Sequence, residues 1–374
     1  MQARLVAEQA GATDFASAYF ERLRERFERA VEVAGEVDRD LEIAGLRLRL
    51  RCAGEPVRAA LLPPFEHLAV IADRAPELTI SLFDTATSGV EAPPPAWAPL
   101  HAAPGTNPVA RLRSERACVL AAAGSGAVTA ARPTVGEAIF HLADARRIPS
   151  SERAAPLREA LGLLMGARGR WLTHAGAVGR GGRGVLLVGR GGSGKSTLAL
   201  SCALAGMEIL ADDYVLLESD ALLAHAMQST AKLPKDSVER LGIPADAIDA
   251  AGFEPTLEGP AKALVDLRSL AFAGLSRQLG IRAVVAPTVS LPQPAHIAGR
   301  GKLGDAEPAV RAISAAQGLR AVAPSTIIQS GFGGKSSLAA LADLVRRVPS
   351  YELELSPDPA ANAAAVDRLV GELG

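Results

Sequence analysis

Nine residues, Gly189-Arg190-Gly191-Gly192-Ser193-Gly194-Lys195-Ser196-Thr197, fit the Walker A pattern G-x-x-x-x-G-K-[ST]. Gly189, Gly194, Lys195 and Ser196 stand in the fixed places. The chemistry such a run supports is the holding of phosphate. Glycines let a loop turn sharply and aim successive backbone N–H groups at phosphate oxygens. The N-terminus of a following helix adds partial positive charge. Lys195 can reach β- and γ-phosphates as a point charge, and Ser196 can offer its hydroxyl to Mg²⁺. Gly189, Gly191, Gly192, Ser193, Gly194, Lys195, Ser196 and Thr197 are therefore the expected surface for a nucleoside triphosphate, ATP with Mg²⁺.

Chemistry on a magnesium nucleotide also needs a carboxylate for the metal and a group that activates or orients the nucleophile. Asp212 and Asp213 follow Lys195 by 17 and 18 residues, the span of one helix and one strand. A parallel strand next to the loop's own would deliver them beside the phosphates, at the carboxyl edge of the sheet. Side chains of neighbours in a strand point apart, so one can face metal and the other substrate. The plain alternative is a strand-end turn carrying two solvated aspartates. His174, 21 residues before Lys195, lies in an apolar segment. A lone histidine there is ordinarily just packed and hydrogen-bonded.

The elements that must position these residues are legible around the motif. Gly184 to Val188 is an apolar run that reads as a buried strand, and Thr197 to Ala205 reads as a helix closed by Gly206. Trp171 to Val178 is a second strand candidate, joined to the first through Gly179-Arg180-Gly181-Gly182-Arg183. Met207 to Ala211 is a third, ending in the aspartates, with Tyr214 to Leu217 continuing it. Further on, Ile281 to Val285 and Tyr351 to Leu355 read as strands. Helical stretches are expected from Pro308 to Val322, Leu338 to Arg347 and Asn362 to Leu373. Strand and helix signals thus alternate, as in a nucleotide-binding α/β domain.

The first part of the chain reads as a smaller α+β domain. It has a helix over residues 14 to 30, an alternating strand or hairpin from Leu41 to Arg51, and strands at Leu78 to Phe83 and near Ala117 to Ala122. Arg47, Arg49 and Arg51 read as the solvated face of an antiparallel sheet. A Pro/Ala-rich loop runs around Pro93-Pro94-Pro95 and Pro104. His67, His101 and His141 are scattered and form no constellation. Composition shifts near Ile148-Pro149-Ser150-Ser151, where Ser150 or Ser151 is expected to cap a helix from about Pro156 to Gly166. The expected boundary lies there, giving domains of residues 1–150 and 151–374.

Composition excludes several function classes. Lys plus Arg number 40 and Asp plus Glu 41, for a net charge of −1, so no basic field for nucleic acid or a membrane surface is expected. Cys52, Cys118 and Cys202 are far apart and form no C-x-x-C pair, against a zinc site or a disulfide framework. With no apolar span of 18 residues and no signal-peptide core, the expectation is a cytoplasmic protein. A homo-oligomer is left open. A second glycine-rich run, Gly331-Phe332-Gly333-Gly334-Lys335-Ser336-Ser337, imitates the first. The position five before Gly334 is Gln329, where the pattern requires glycine, and Pro324-Ser325-Thr326 gives no strand ahead of it. It is expected to be a loop leading into a helix.

His174-Ala175-Gly176, the phosphate loop and Ala211-Asp212-Asp213, in that order and spacing, resemble the catalytic domain of the HPr serine kinase/phosphorylase family. The resemblance spans residues 171 to 218. It implies an α/β fold, a P-loop kinase domain akin to phosphoenolpyruvate carboxykinase, preceded by the smaller α+β domain. It also implies roles: Asp212 as base toward a seryl hydroxyl, Asp213 with Ser196 near Mg²⁺, and His174 and Lys195 within the same site. Arg190 stands where the family has Asp, Thr197 where it usually has Glu, and Gln228-Ser229-Thr230-Ala231-Lys232-Leu233-Pro234 replaces a Glu-Val-Arg-Gly-Leu-Gly signature. In that stretch Lys232 is a candidate phosphate contact. These departures are similar to a divergent branch found beside genes for ribosomally made (lasso) peptides, whose acceptor is a peptide serine. The first domain would then recognise the protein or peptide acceptor. A small-molecule kinase, a nucleotidyl transferase and a non-catalytic nucleotide-binding regulator stay open as alternatives. The retained aspartate pair speaks against the last, since binding alone needs no base.

Overall fold

The computed structural model describes residues 14–94, 109–122, 125–256, 259–270, 274–289, 307–330 and 334–373. His101, Pro95, Pro104, the stretch 290–306 and Gly331-Phe332-Gly333 lie outside the described residues. The chain divides into two compact units, Met1–Gly169 and Arg170–Gly374. No described helix is long and apolar enough to cross a membrane.

In the first unit, helix α1 (Phe15–Ala34) begins at Asp14, whose Oδ1 accepts from the Ser17 N–H at 3.1 Å. Its apolar stripe of Tyr19, Phe20, Leu23, Phe27 and Ala30 is buried against one face of a sheet. The strands are β1 (Glu36–Ile43), β2 (Leu46–Ala53), β3 (Leu78–Asp84), β4 (Val109–Arg113), β5 (Cys118–Ala122), β6 (Val128–Arg132) and β7 (Glu137–Leu142), in the order β1-β2-β3-β7-β6-β5-β4. Ala44 and Gly45, both at positive φ, make the two-residue turn between β1 and β2. Arg49 and Arg51 on that hairpin are paired with Asp40 and Glu36, so the arginine row serves the sheet's own charge balance. Short helices α2 (Glu55–Leu61), α3 (Thr85–Ser88) and α4 (Ser150–Arg153) lie in the connections.

Helix α5 (Arg158–Gly166) does not start from a serine cap. Leu157 precedes it in the left-handed region with no side-chain capping bond, and Ser150 opens α4 instead. The buried run Ala154 to Leu157 separates the two helices. α5 packs on β6 and β7, so it belongs to the first unit and the division falls after Gly169 rather than near residue 150.

The second unit is built on a nine-stranded sheet. Its strands are β8 (Trp171–Thr173), β9 (Gly176–Arg180), β10 (Arg183–Leu187), β11 (Glu208–Ala211), β12 (Val215–Glu218), β13 (Leu223–His225), β17 (Gln278–Val289), β18 (Ala309–Ile313) and β19 (Ser350–Leu355). The main path runs β11-β9-β10-β17-β13-β12-β8, and β19 extends it beside β17. A separate three-stranded sheet holds β14 (Thr230–Pro234), β16 (Gly259–Asp266) and β15 (Ile248–Thr256). Helix α6 (Lys195–Leu204) packs against α10 (Pro359–Glu372), and Leu198, Ala199, Cys202, Val366 and Leu369 share one core. Helices α7 (Lys235–Leu241), α8 (Ala315–Ser330) and α9 (Lys335–Arg347) complete the unit.

In this unit the structure corrects the expected elements at three places. Trp171 to Val178 is two strands, because β8 pairs with β12 while β9 pairs with β10 and β11. Tyr214 to Leu217 likewise leaves the strand before it, since β12 lies at the far end of the path from β11. The stretch 308–322 is strand β18 followed by the start of α8. The two changes of partner have one cause. β8 and β9 sit near opposite ends of the path, yet only His174 and Ala175 separate them in sequence. The three steps from Thr173 to Gly176 span at most about 11 Å, so the sheet must curl until its ends meet at that point.

Candidate active site

The phosphate loop leaves β10 and enters α6. Three of its glycines, Gly189, Gly192 and Gly194, have a positive φ that favours glycine, and at two of them a Cβ would also crowd a neighbour. Gly194 has φ 93°, and a Cβ there would meet Leu355 Cδ1 at 2.4 Å; Gly189 has φ 142° and would meet Ser193 Oγ at 2.8 Å. Gly191, by contrast, faces open space. Lys195 is buried at the first turn of α6, and its Nζ donates to the carbonyls of Gly189 (2.8 Å) and Arg190 (3.2 Å). The lysine thus folds back along its own loop. Burial pushes its ammonium pKa down, opposed by Asp213 and Asp212 and aided by Lys262.

Where the sheet closes, two ladders flank a gap. On one side Thr173 pairs with Val215, and on the other Ala177 pairs with Ala211. Residues 174–176 therefore face residues 212–214 across it. Gly176 makes the close approach possible, since a Cβ there would meet the Asp212 carbonyl oxygen at 2.9 Å. The aspartates arrive by a different route from the expected one. β11 is not a parallel neighbour of β10; β9 lies between them, antiparallel to both. β10 and β11 consequently run the same way, and their carboxyl ends still emerge at one edge.

His174 and Asp213 meet directly, with Nε2 and Oδ1 2.7 Å apart. The His174 N–H donates to Thr326 Oγ1 at 3.1 Å, and its ring tilts against Tyr214 with centroids 5.3 Å apart. Lys232, on β14, holds both aspartates. Its backbone N–H donates to Asp212 Oδ2 at 3.1 Å, and its Nζ pairs with Asp213 Oδ2 at 3.2 Å. Both oxygens of Asp213 are thereby engaged. Asp212 Oδ1 is buried with no hydrogen-bond partner among the described residues, as is His174 Nδ1.

The environments split the two carboxylates. Burial, then the charge of Asp213, pushes Asp212 up to about 6, against the pull of the Ser196 hydroxyl and the Lys232 amide. Burial also raises Asp213, but Lys232, His174 and Lys195 outweigh it and hold that carboxyl well below the usual range. One stays ionised at neutral pH and the other titrates near it, the separation that acid–base chemistry uses.

Of the other expected residues, Thr197 turns its Oγ1 to Ser237 Oγ at 2.9 Å, and the buried Ser193 Oγ has no partner among the described residues. Lys262 is a cation that the sequence reading missed. It sits on β16 opposite Pro234, two residues along β14 from Lys232. Its surroundings, Pro260-Ala261-Lys262-Ala263, match no motif, so only the pairing of β14 with β16 marks it.

Among the described residues no group of three or more His, Cys, Asp and Glu is arranged to hold a metal ion alone. Mg²⁺ at a nucleotide site takes one or two carboxylates and completes its shell with water and phosphate. An aspartate pair next to Ser196, with one buried oxygen unpartnered, fits that requirement.

Fold and site together define a mixed α/β protein with a glycine-rich strand-to-helix loop and a carboxylate pair in its second unit. No family model matches the chain, and no curated protein matches it. Among solved structures, the Hpr(Ser) kinase/phosphatase from Coxiella burnetii is similar over 54% of this chain and 93% of that chain, at 16% identity and a TM-score of 0.28. A likeness of that size is too slight to assign an activity.

Proposed function

We propose that the chain transfers the γ-phosphoryl group of ATP to a serine hydroxyl of a protein or peptide. The observation that carries this is Asp212: buried, titrating near neutral pH, and set between the phosphate loop and Asp213 with one oxygen unpartnered. The loop amides and the N-terminus of α6 hold the β- and γ-phosphates. Lys195 exchanges the carbonyls of Gly189 and Arg190 for phosphate oxygens as nucleotide enters. Asp212 accepts the hydroxyl proton while the new O–P bond forms and the β–γ bridging bond breaks, releasing ADP. Ser196 and Asp213 would hold Mg²⁺, which supplies neutralisation of the phosphate charge. His174 fixes the rotamer of Asp213. The choice of serine rests on the three motifs that resemble the HPr serine kinase/phosphorylase family.

Mass spectrometry of candidate acceptors incubated with Mg-ATP tests the proposal. The expected product is phosphoserine with wild type and none with Lys195→Ala. Wild-type turnover by Lys195→Ala at saturating ATP would refute the assignment, and an adenylylated acceptor would mark a nucleotidyl transferase instead.

A further inference from the structure

Lys232 has an arrangement that phosphate binding alone does not require. Its ammonium stands 3.2 Å from the Asp213 oxygen left over by His174, and its own amide anchors Asp212. The side chain is 24% exposed, so it is tethered to the pair by its strand yet has room to move. A divalent cation that is to reach Asp213 must take the place this ammonium occupies.

We propose that Lys232 is a resident counter-ion of Asp213 that makes divalent-cation binding depend on nucleotide. This rests on the reading of the site as one for a metal–nucleotide complex. Without nucleotide, a cation entering at Asp213 must displace an ion pair and meets the positive charge of Lys195 beyond it. A triphosphate changes that balance, because its charge draws both ammonium groups away from their present partners. Metal and nucleotide then bind with positive coupling, and the coupling is reciprocal. The device keeps a bare cation from settling on the carboxylates.

Calorimetric titration with Mn²⁺ tests this, with and without a non-hydrolysable ATP analogue, on wild type, Lys232→Met, Lys232→Gln and Lys232→Arg. Every variant keeps the backbone N–H that holds Asp212. For Met and Gln the expected result is Mn²⁺ affinity raised about tenfold without nucleotide, since a unit charge a few ångströms away is worth at least that much at a partly buried site. The enhancement of Mn²⁺ binding by nucleotide should shrink by the same factor, and Arg should behave as wild type. Merely structural damage would lower the affinity, so a rise separates the two. Unchanged or weaker Mn²⁺ binding in both folded neutral variants would overturn the proposal. The titration without nucleotide decides it even if no phosphoryl transfer is found, so the two readings fail separately.

Discussion

Asp212 gives the residue scale its sharpest test, because a buried carboxylate with a raised pKa affects stability as well as chemistry. Its folded-state value of about 6 lies above the ordinary 3.8, so the folded protein binds a proton that the unfolded chain has already lost between those values. The resulting stability is full below about pH 4 and is lost as pH rises through about 6. Above that, the ionised and desolvated carboxylate costs about 2–3 kcal/mol. Asp212→Asn removes the charge and keeps the shape. Denaturant unfolding without metal or nucleotide should therefore find the variant more stable than wild type at pH 7.5, with the difference closing toward pH 4. A gap that ignores pH would mean the carboxyl is not held as described. The same variant should lose roughly 10²–10⁴-fold in single-turnover transfer while still binding ATP, if the carboxylate is the base.

At the scale of elements, the phosphate loop is held by its neighbours as much as by its own glycines. Gly194 is held by its left-handed backbone, and a methyl group there would also have to displace the end of the Leu355 side chain of β19. Gly191 has neither constraint. Gly194→Ala should cost about 1–3 kcal/mol of stability and weaken nucleotide binding, whereas Gly191→Ala should leave stability within about 0.5 kcal/mol. Thermal unfolding of the two variants side by side checks this. Equal loss in both would show that Leu355 does not shape the turn.

For the whole molecule, the arrangement of elements sets the two glycine-rich runs apart. The loop at Gly189 issues from a buried strand and feeds a helix whose lysine is 6% exposed beside two carboxylates. The imitation ending at Ser337 is preceded by α8 rather than by a strand, and Lys335 is exposed at the start of α9. Lys335→Ala should therefore leave ATP affinity within a few-fold, as read by calorimetry. A large loss with the fold intact would mean a second site had been passed over. The two units each carry a core of their own, and motif and imitation alike fall within Arg170–Gly374.

The sequence alone determined the strand, glycine-rich turn and helix around Gly189 to Thr197, because their information is local. Strand, loop and helix are contiguous, and the glycine positions follow from backbone sterics over a few residues. The hairpin of β1 and β2, the helix α1 and the closing helix α10 were legible for the same reason: each shows one hydrophobic period and its own turn or cap. The contacts of the aspartates were not, although the resemblance implied His174 in the same site. His174 and Asp213 are 39 residues apart, and neither flank names the other. They meet because one sheet curls until β8 and β9, near its opposite ends, come together, and register then sets residues 174–176 against 212–214. Lys232 joins them from a separate sheet whose pairing is again long-range, and Lys262 of that sheet bears electrostatically on Lys195. The difference in environment between the two carboxylates is tertiary as well. Asp212 and Asp213 are identical in the chain, and burial with one oxygen unpartnered sets the first apart from the second, which is enclosed by an imidazole and an ammonium.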